Sequence, residues 1–132
     1  MFKIKIGIIV FIACFFTFCK KEAGSGGKVN IRGKVYVKNY DPSFGILLSE
    51  YYVSGENVFI TYGDETTVGD DVKTSYDGSY VFPFMQRGKY KIWAVSKDSS
   101  STDPTATKSI IQQIEVTNKK GDVTVPDIVN LN

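Results

Sequence analysis

The chain has 132 residues, enough for one domain, and its 42% hydrophobic and 14% aromatic content is enough to build a core. Lys3 and Lys5 fall in the first eighteen residues, so the remainder carries 14 Lys+Arg against 14 Asp+Glu. That formal neutrality argues against nucleic acid, which requires a basic stripe, and the absence of histidine removes the commonest general base and metal ligand together.

The first segment reads as an address. Met1 to Lys5 carries two lysines, and Ile6 to Phe18 is almost wholly apolar. This run is shorter than the roughly 20 residues a spanning helix needs and fits the apolar region of a secretory signal. Cys19 follows at once, then Lys20, Lys21, Glu22 and the flexible stretch Gly24 to Gly27. An apolar run that ends on a single Cys before a polar tether resembles a bacterial lipoprotein signal. The Cys-Lys-Lys-Glu start is similar to that of Bacteroidetes-type lipoproteins. Phe18 stands where the usual lipobox has a small residue, and Phe16 where it has Leu. The resemblance implies a diacylglyceryl group on the Cys19 thiol and cleavage that makes Cys19 the mature N-terminus. It places the protein at the bacterial cell envelope, anchored to the outer membrane through Cys19. Each buried acyl CH₂ contributes about 0.8 kcal/mol, so several chains anchor stably. Residues 1–18 are then the signal peptide, 19–28 the tether and 29–132 the folded domain. No Cys follows Cys19, so the domain holds no disulfide and no Cys metal site.

Val29 to Val37 alternates, with Val29, Ile31, Gly33, Val35 and Val37 on one face and Asn30, Arg32, Lys34, Tyr36 and Lys38 on the other. This predicts a strand with one face buried. Asn39 to Glu56 is irregular. Asp41-Pro42 starts a turn, and the segment holds a short strand or helical turn, or forms a packed cover over a sheet edge, which is the preferred reading. A loop of this length is also a place for binding features. Asn57 to Tyr62 is the next strand, and Gly63-Asp64-Glu65 turns the chain into a return through Val68 and Val72. Asp77-Gly78 is a hairpin signal. After it Tyr80, Phe82 and Phe84 recur at every second position, Arg87-Gly88 turns, and Tyr90, Ile92 and Ala94 repeat the alternation. Together these predict an antiparallel meander. Thr107 to Val116 reads as a strand, and Val123 to Leu131 as one or two edge strands around Pro126, which cannot donate to a ladder. About seven short strands, with no helical period after the signal, indicate an all-β sandwich.

Gly33-Lys34-Val35, Gly55-Glu56-Asn57-Val58, Asp77-Gly78-Ser79-Tyr80-Val81-Phe82 and Gly88-Lys89-Tyr90-Lys91-Ile92 occur in that order. The pattern resembles the carboxypeptidase regulatory-like domains and covers roughly Val29 to Val95. The resemblance implies a transthyretin-like, seven-stranded antiparallel Greek-key β-sandwich in which these glycines turn and these aromatics fill the core. It implies no catalytic residues: the transthyretin-like hydrolases use histidines, and this chain has none. A related sandwich class forms a Lys–Asn isopeptide bond, for which Lys34 and Asn130 are the analogous pair, but the helping acid falls on Ala94.

Two clusters invite chemistry. Asp64, Glu65, Asp70 and Asp71 form a candidate Ca²⁺ site, since Ca²⁺ takes several carboxylate oxygens. Their spacing matches no EF-hand loop, which favours a solvated hairpin tip instead. Trp93 lies opposite Tyr90 and Ile92, either as core beneath the Asn39 to Glu56 cover or as an aromatic platform extended by Tyr36, Tyr40, Tyr51 and Tyr52. The expectation is a non-catalytic envelope lipoprotein with no cofactor, acting as a binding or structural module for a protein or glycan. The alternative is a small-ligand carrier or transthyretin-like hydrolase acting as a dimer.

Overall fold

The structure is a computed structural model and describes residues 23–132. Cys19, the expected signal peptide and the start of the expected tether lie outside the described residues. The described chain is all-β, with nine strands in two sheets.

The first strand, β1 (Ser25–Tyr40), is the axis of one sheet. Its odd positions Val29, Ile31, Val35 and Val37 are buried, as the alternation predicts. β1 outlasts any single neighbour, so each of its edges is shared by two short strands. β5 (Ser79–Met85) pairs antiparallel with its first half and β2 (Leu47–Tyr52) with its second. Val35 marks the exchange, its N–H donating to Gly78 and its carbonyl accepting from Val53. The opposite edge carries β8 (Lys120–Thr124) and then β9 (Ile128–Leu131), both parallel to β1. The second sheet has the order β4 (Asp70–Lys73), β3 (Asn57–Tyr62), β6 (Gly88–Lys97) and β7 (Thr107–Val116), antiparallel throughout. Between the sheets lie Val29, Ile31, Val58, Ile60, Phe82, Tyr90, Ile92, Val116, Val125 and Ile128, each nearly inaccessible. Fully burying such a side chain contributes roughly 1.5–3 kcal/mol.

The expected meander does not form. β5 lies in the β1 sheet and β6 in the other, so the Arg87-Gly88 turn carries the chain between sheets. The Asp77-Gly78 turn does the same from β4 to β5, with Gly78 N–H donating to Ser75 and Gly78 at φ 80°. Alternation reports which face a residue takes, and both sheets of a sandwich present the same alternation, so the period does not say which neighbour a strand chooses. Nine strands stand where about seven were expected, because the 39–56 segment holds β2 and the C-terminal segment splits at Pro126. β2 is exposed along its whole length, so the segment is not a packed cover. Its six residues hold the β1 edge by backbone pairing. Ser25–Lys28, expected as flexible, belong to β1, and the Gly24 carbonyl accepts from Gln86.

Phe84 departs from its expected face. Three residues of β1, Val29 to Ile31, oppose four on β5, Phe82 to Met85, so β5 bulges at Pro83-Phe84. Phe84 takes φ 58°, turns out to 68% exposure, and Met85 enters the core in its place.

Candidate functional site

Between Arg32 and Tyr36 β1 changes partners on both edges, and a groove of about 520 Å³ opens there. Arg32 and Lys34 come from β1, Tyr52 from β2, Asp77 from the β4–β5 turn, Ser79 from the start of β5, and Asp127 from the β8–β9 link. Tyr80 forms its floor. That side chain belongs to the inner face, but Gly33 has no side chain to block it. A Cβ on Gly33 would stand 2.5 Å from the Tyr80 hydroxyl oxygen. The tyrosine is 2% exposed, and its hydroxyl has no hydrogen-bond partner. Burial, then the Asp127 charge, pushes its phenol well above the usual tyrosine range. An orphaned buried hydroxyl is uncommon and costs roughly 1–3 kcal/mol.

The polar wall is ordered by short bonds. Tyr52 donates its hydroxyl to Asp127 Oδ2 at 2.9 Å, an acceptor that raises the Tyr52 phenol. Lys34 Nζ stands 4.9 Å from the Tyr52 ring centre, a cation–π contact worth about 0.5–1 kcal/mol at an exposed site. Tyr36 meets the same ring edge-on at 5.1 Å. Arg32 pairs with Asp122 at 3.2 Å across half-exposed side chains. Asp77 accepts from the Ser79 hydroxyl and N–H, and these bonds hold its carboxyl below the usual range.

Of the aromatic residues expected to form one platform, Tyr36 and Tyr52 meet on the outer face of the β1 sheet, opposite one another in the register. Tyr51 is paired with Val37 and so takes the other face. Trp93 is elsewhere. It sits on the outer face of the second sheet, stacked on Phe59 at 4.4 Å, with its Nε1 donating to Thr61. It is neither core beneath the 39–56 segment nor part of the tyrosine platform. Exposed Val95 and Ile111 continue its stripe. Asp64 and Glu65 occupy the β3–β4 turn and Asp70 and Asp71 lie on β4, and no group of three or more potential ligands gathers for a metal among the described residues. Lys34 lies on the outer face, over Tyr52, whereas Asn130 is buried between the sheets opposite Val37. The lysine of an isopeptide bond is therefore missing from the asparagine's side.

Arg32, Lys34, Asp77, Tyr80 and Asp127 were not singled out from sequence as a site. The one available signal was Gly33, a residue without a side chain in an otherwise Val/Ile-lined face, which marks a close approach. Among the described residues no helix is long and apolar enough to cross a membrane. No family model matches the chain, and no curated protein matches it either.

Proposed function

We propose that this chain is a non-catalytic lipoprotein of the bacterial cell envelope, anchored through Cys19, whose β-sandwich binds an envelope glycan in the groove over Gly33. The observation that carries the binding reading is the unpartnered hydroxyl of Tyr80, a residue that lines the groove. A polyhydroxylated ligand both donates and accepts, and the groove offers both: cationic donors from Arg32 and Lys34, carboxylate acceptors from Asp77 and Asp127, and the apolar Tyr52 ring between them. Ligand sites of this kind pair apolar walls with a few placed polar groups. Only Lys20, Lys21 and Glu22 separate Cys19 from the described Ala23, a reach of roughly 3.5 Å per residue. The domain would stand close on the membrane, with the Ala23 end facing it. A transthyretin-like connectivity belongs to this reading, supported by the crossings between sheets at Asp77-Gly78 and Arg87-Gly88.

The test is a panel of envelope polysaccharides probed with the full chain in non-ionic detergent, beside Tyr52→Ala and Asp127→Asn. Binding by the wild type, weakened about ten-fold in each variant, is the expected result, each loss corresponding to about 1.4 kcal/mol. Capture of an envelope protein through the same residues would replace the glycan with a protein partner. No ligand of either kind would end the binding reading. Fatty-acyl incorporation that survives Cys19→Ser would end the lipoprotein reading.

A further inference from the structure

A second buried acceptor is left open at the end of the sandwich away from Ala23. β6 begins at Gly88, packed beside Ala23, and runs to Lys97 about 30 Å away. There Val37, Tyr51, Glu56, Ser96, Lys97 and Asn130 line a pocket of about 210 Å³ between the sheets. Asn130 is 3% exposed, and its Nδ2 faces two acceptors, the Val95 carbonyl at 3.3 Å and Glu56 Oε1 at 3.4 Å. Turning the amide over would set its oxygen against both, so the bonding pattern fixes the orientation. Oδ1 is consequently left buried with no donor.

Glu56 is the adjacent charge. Its backbone is held by Thr74, which accepts the Glu56 N–H on its hydroxyl at 2.9 Å and donates its own N–H to the Glu56 carbonyl at 2.9 Å. Among the described residues no basic group lies within ion-pair distance of its carboxylate. Burial raises its carboxyl above the usual range, against the lowering by Asn130. Ser96 is already engaged: its hydroxyl accepts from the Leu131 N–H and donates to the Lys97 carbonyl. What remains free is an acceptor and a negative charge side by side, a pair that calls for a ligand with several N–H donors and a positive charge.

We propose that this pocket binds a primary ammonium group, with the Glu56 carboxylate as counter-charge and Asn130 Oδ1 as hydrogen-bond acceptor. An ammonium has three donors and no acceptor. The pocket holds roughly seven waters at about 30 Å³ each, room for an aminoalkyl chain. Tyr51, half exposed at the mouth, supplies an aromatic wall for the alkyl stem. Lys97 lines the same opening and is exposed, so its charge opposes the ligand. The site is separate from the groove over Gly33 and depends on neither the glycan nor the anchor.

The experiment is an NMR titration of the ¹⁵N-labelled full chain in non-ionic micelles with n-propylammonium, watching the Asn130 side-chain amide and the Ser96 and Leu131 N–H signals. Saturable shifts with a dissociation constant of about 1 mM, roughly 4 kcal/mol, are expected. n-Propanol, which has no charge, and tetramethylammonium, which has no donor, should leave these signals in place. Glu56→Gln keeps a hydrogen-bonding partner for Asn130 and should weaken binding at least ten-fold, whereas Lys97→Ala should tighten it several-fold. Nα-acetyl-lysine methylamide, glycylglycinamide and glucosamine then distinguish a lysine side chain, a peptide amino terminus and an amino sugar as the source. No saturable shift with propylammonium would overturn the proposal, as would equal affinity in folded Glu56→Gln.

Discussion

Tyr80 and Tyr90 are buried tyrosines in opposite situations, and removing one oxygen from each should change stability in opposite directions. Tyr90 accepts the Gly24 N–H at 2.9 Å and lies 2.6 Å from the Gln86 carbonyl and 3.2 Å from that of Gly24, both within donating distance. Tyr80 has no partner for its hydroxyl. In Tyr80→Phe a desolvated orphan worth roughly 1–3 kcal/mol is removed. Against this stands the loss of a few dispersion contacts at about 0.1–0.2 kcal/mol each. The variant should gain about 1 kcal/mol. Tyr90→Phe strands the Gly24 N–H and should lose about 1–2 kcal/mol. The assay is urea unfolding at neutral pH by tryptophan fluorescence, with Trp93 the single reporter. With a slope of roughly 1–3 kcal/mol per molar urea, both shifts exceed the error of a midpoint. Tyr80→Phe should also weaken a groove ligand about ten-fold while stabilising the free protein, the signature of a group kept for binding. A Tyr80→Phe protein that loses more than 1 kcal/mol would refute the reasoning, since its hydroxyl would then be bonded in the free protein.

Other substitutions probe the same structure. Gly33→Ala should destabilise by about 1–3 kcal/mol by overpacking, because the new methyl meets the Tyr80 ring and hydroxyl, and it should close the groove; a neutral midpoint would show that the ring moves freely. Phe84→Gly should raise stability by about 1 kcal/mol, since an exposed Phe at φ 58° holds a left-handed conformation that glycine adopts without strain; a loss would mean that the ring has a partner. Glu56 has a folded pKa raised above its ordinary 4.5, so the folded state disfavours its charge. Its contribution to stability is greatest below the unfolded value and falls as pH rises through the folded one. Glu56→Gln should therefore match the wild type at pH 4 and exceed it at pH 7 in urea midpoint, and the reverse order would contradict the assignment of burial as the cause.

The strands were legible and their partners were not. Val29 to Val37, Asn57 to Tyr62 and Thr107 to Val116 announce themselves because one face is buried and the other wet, and burial imposes period two. The same period misplaced Phe84, since a bulge inserts a residue without changing composition, and Pro83 was the only local sign of it. A short strand within residues 39–56 was one of the readings but was set behind a packed cover, because β2 is exposed on both faces, its apolar residues follow no buried period, and only backbone pairing with β1 defines it. Tyr36 and Tyr52 were recognisable as surface aromatics and do meet. Trp93 was grouped with them because one-dimensional patterning cannot assign a face to one of two sheets. The groove needed long-range closure, bringing Asp127 to Tyr52 across 75 positions of sequence, and no local motif encodes that. Gly33 was read as a turn-forming family residue, while its role in the structure is to leave space for Tyr80.

The most direct test of a binding groove over Gly33 is backbone amide shift mapping with the envelope glycan that the panel returns. Perturbations centred on Arg32, Gly33, Lys34, Tyr52, Ser79 and Asp127, needing about ten-fold more glycan in Tyr52→Ala, are the expected result. Perturbations centred instead on Phe59, Trp93, Val95 and Ile111 of the second sheet would contradict it.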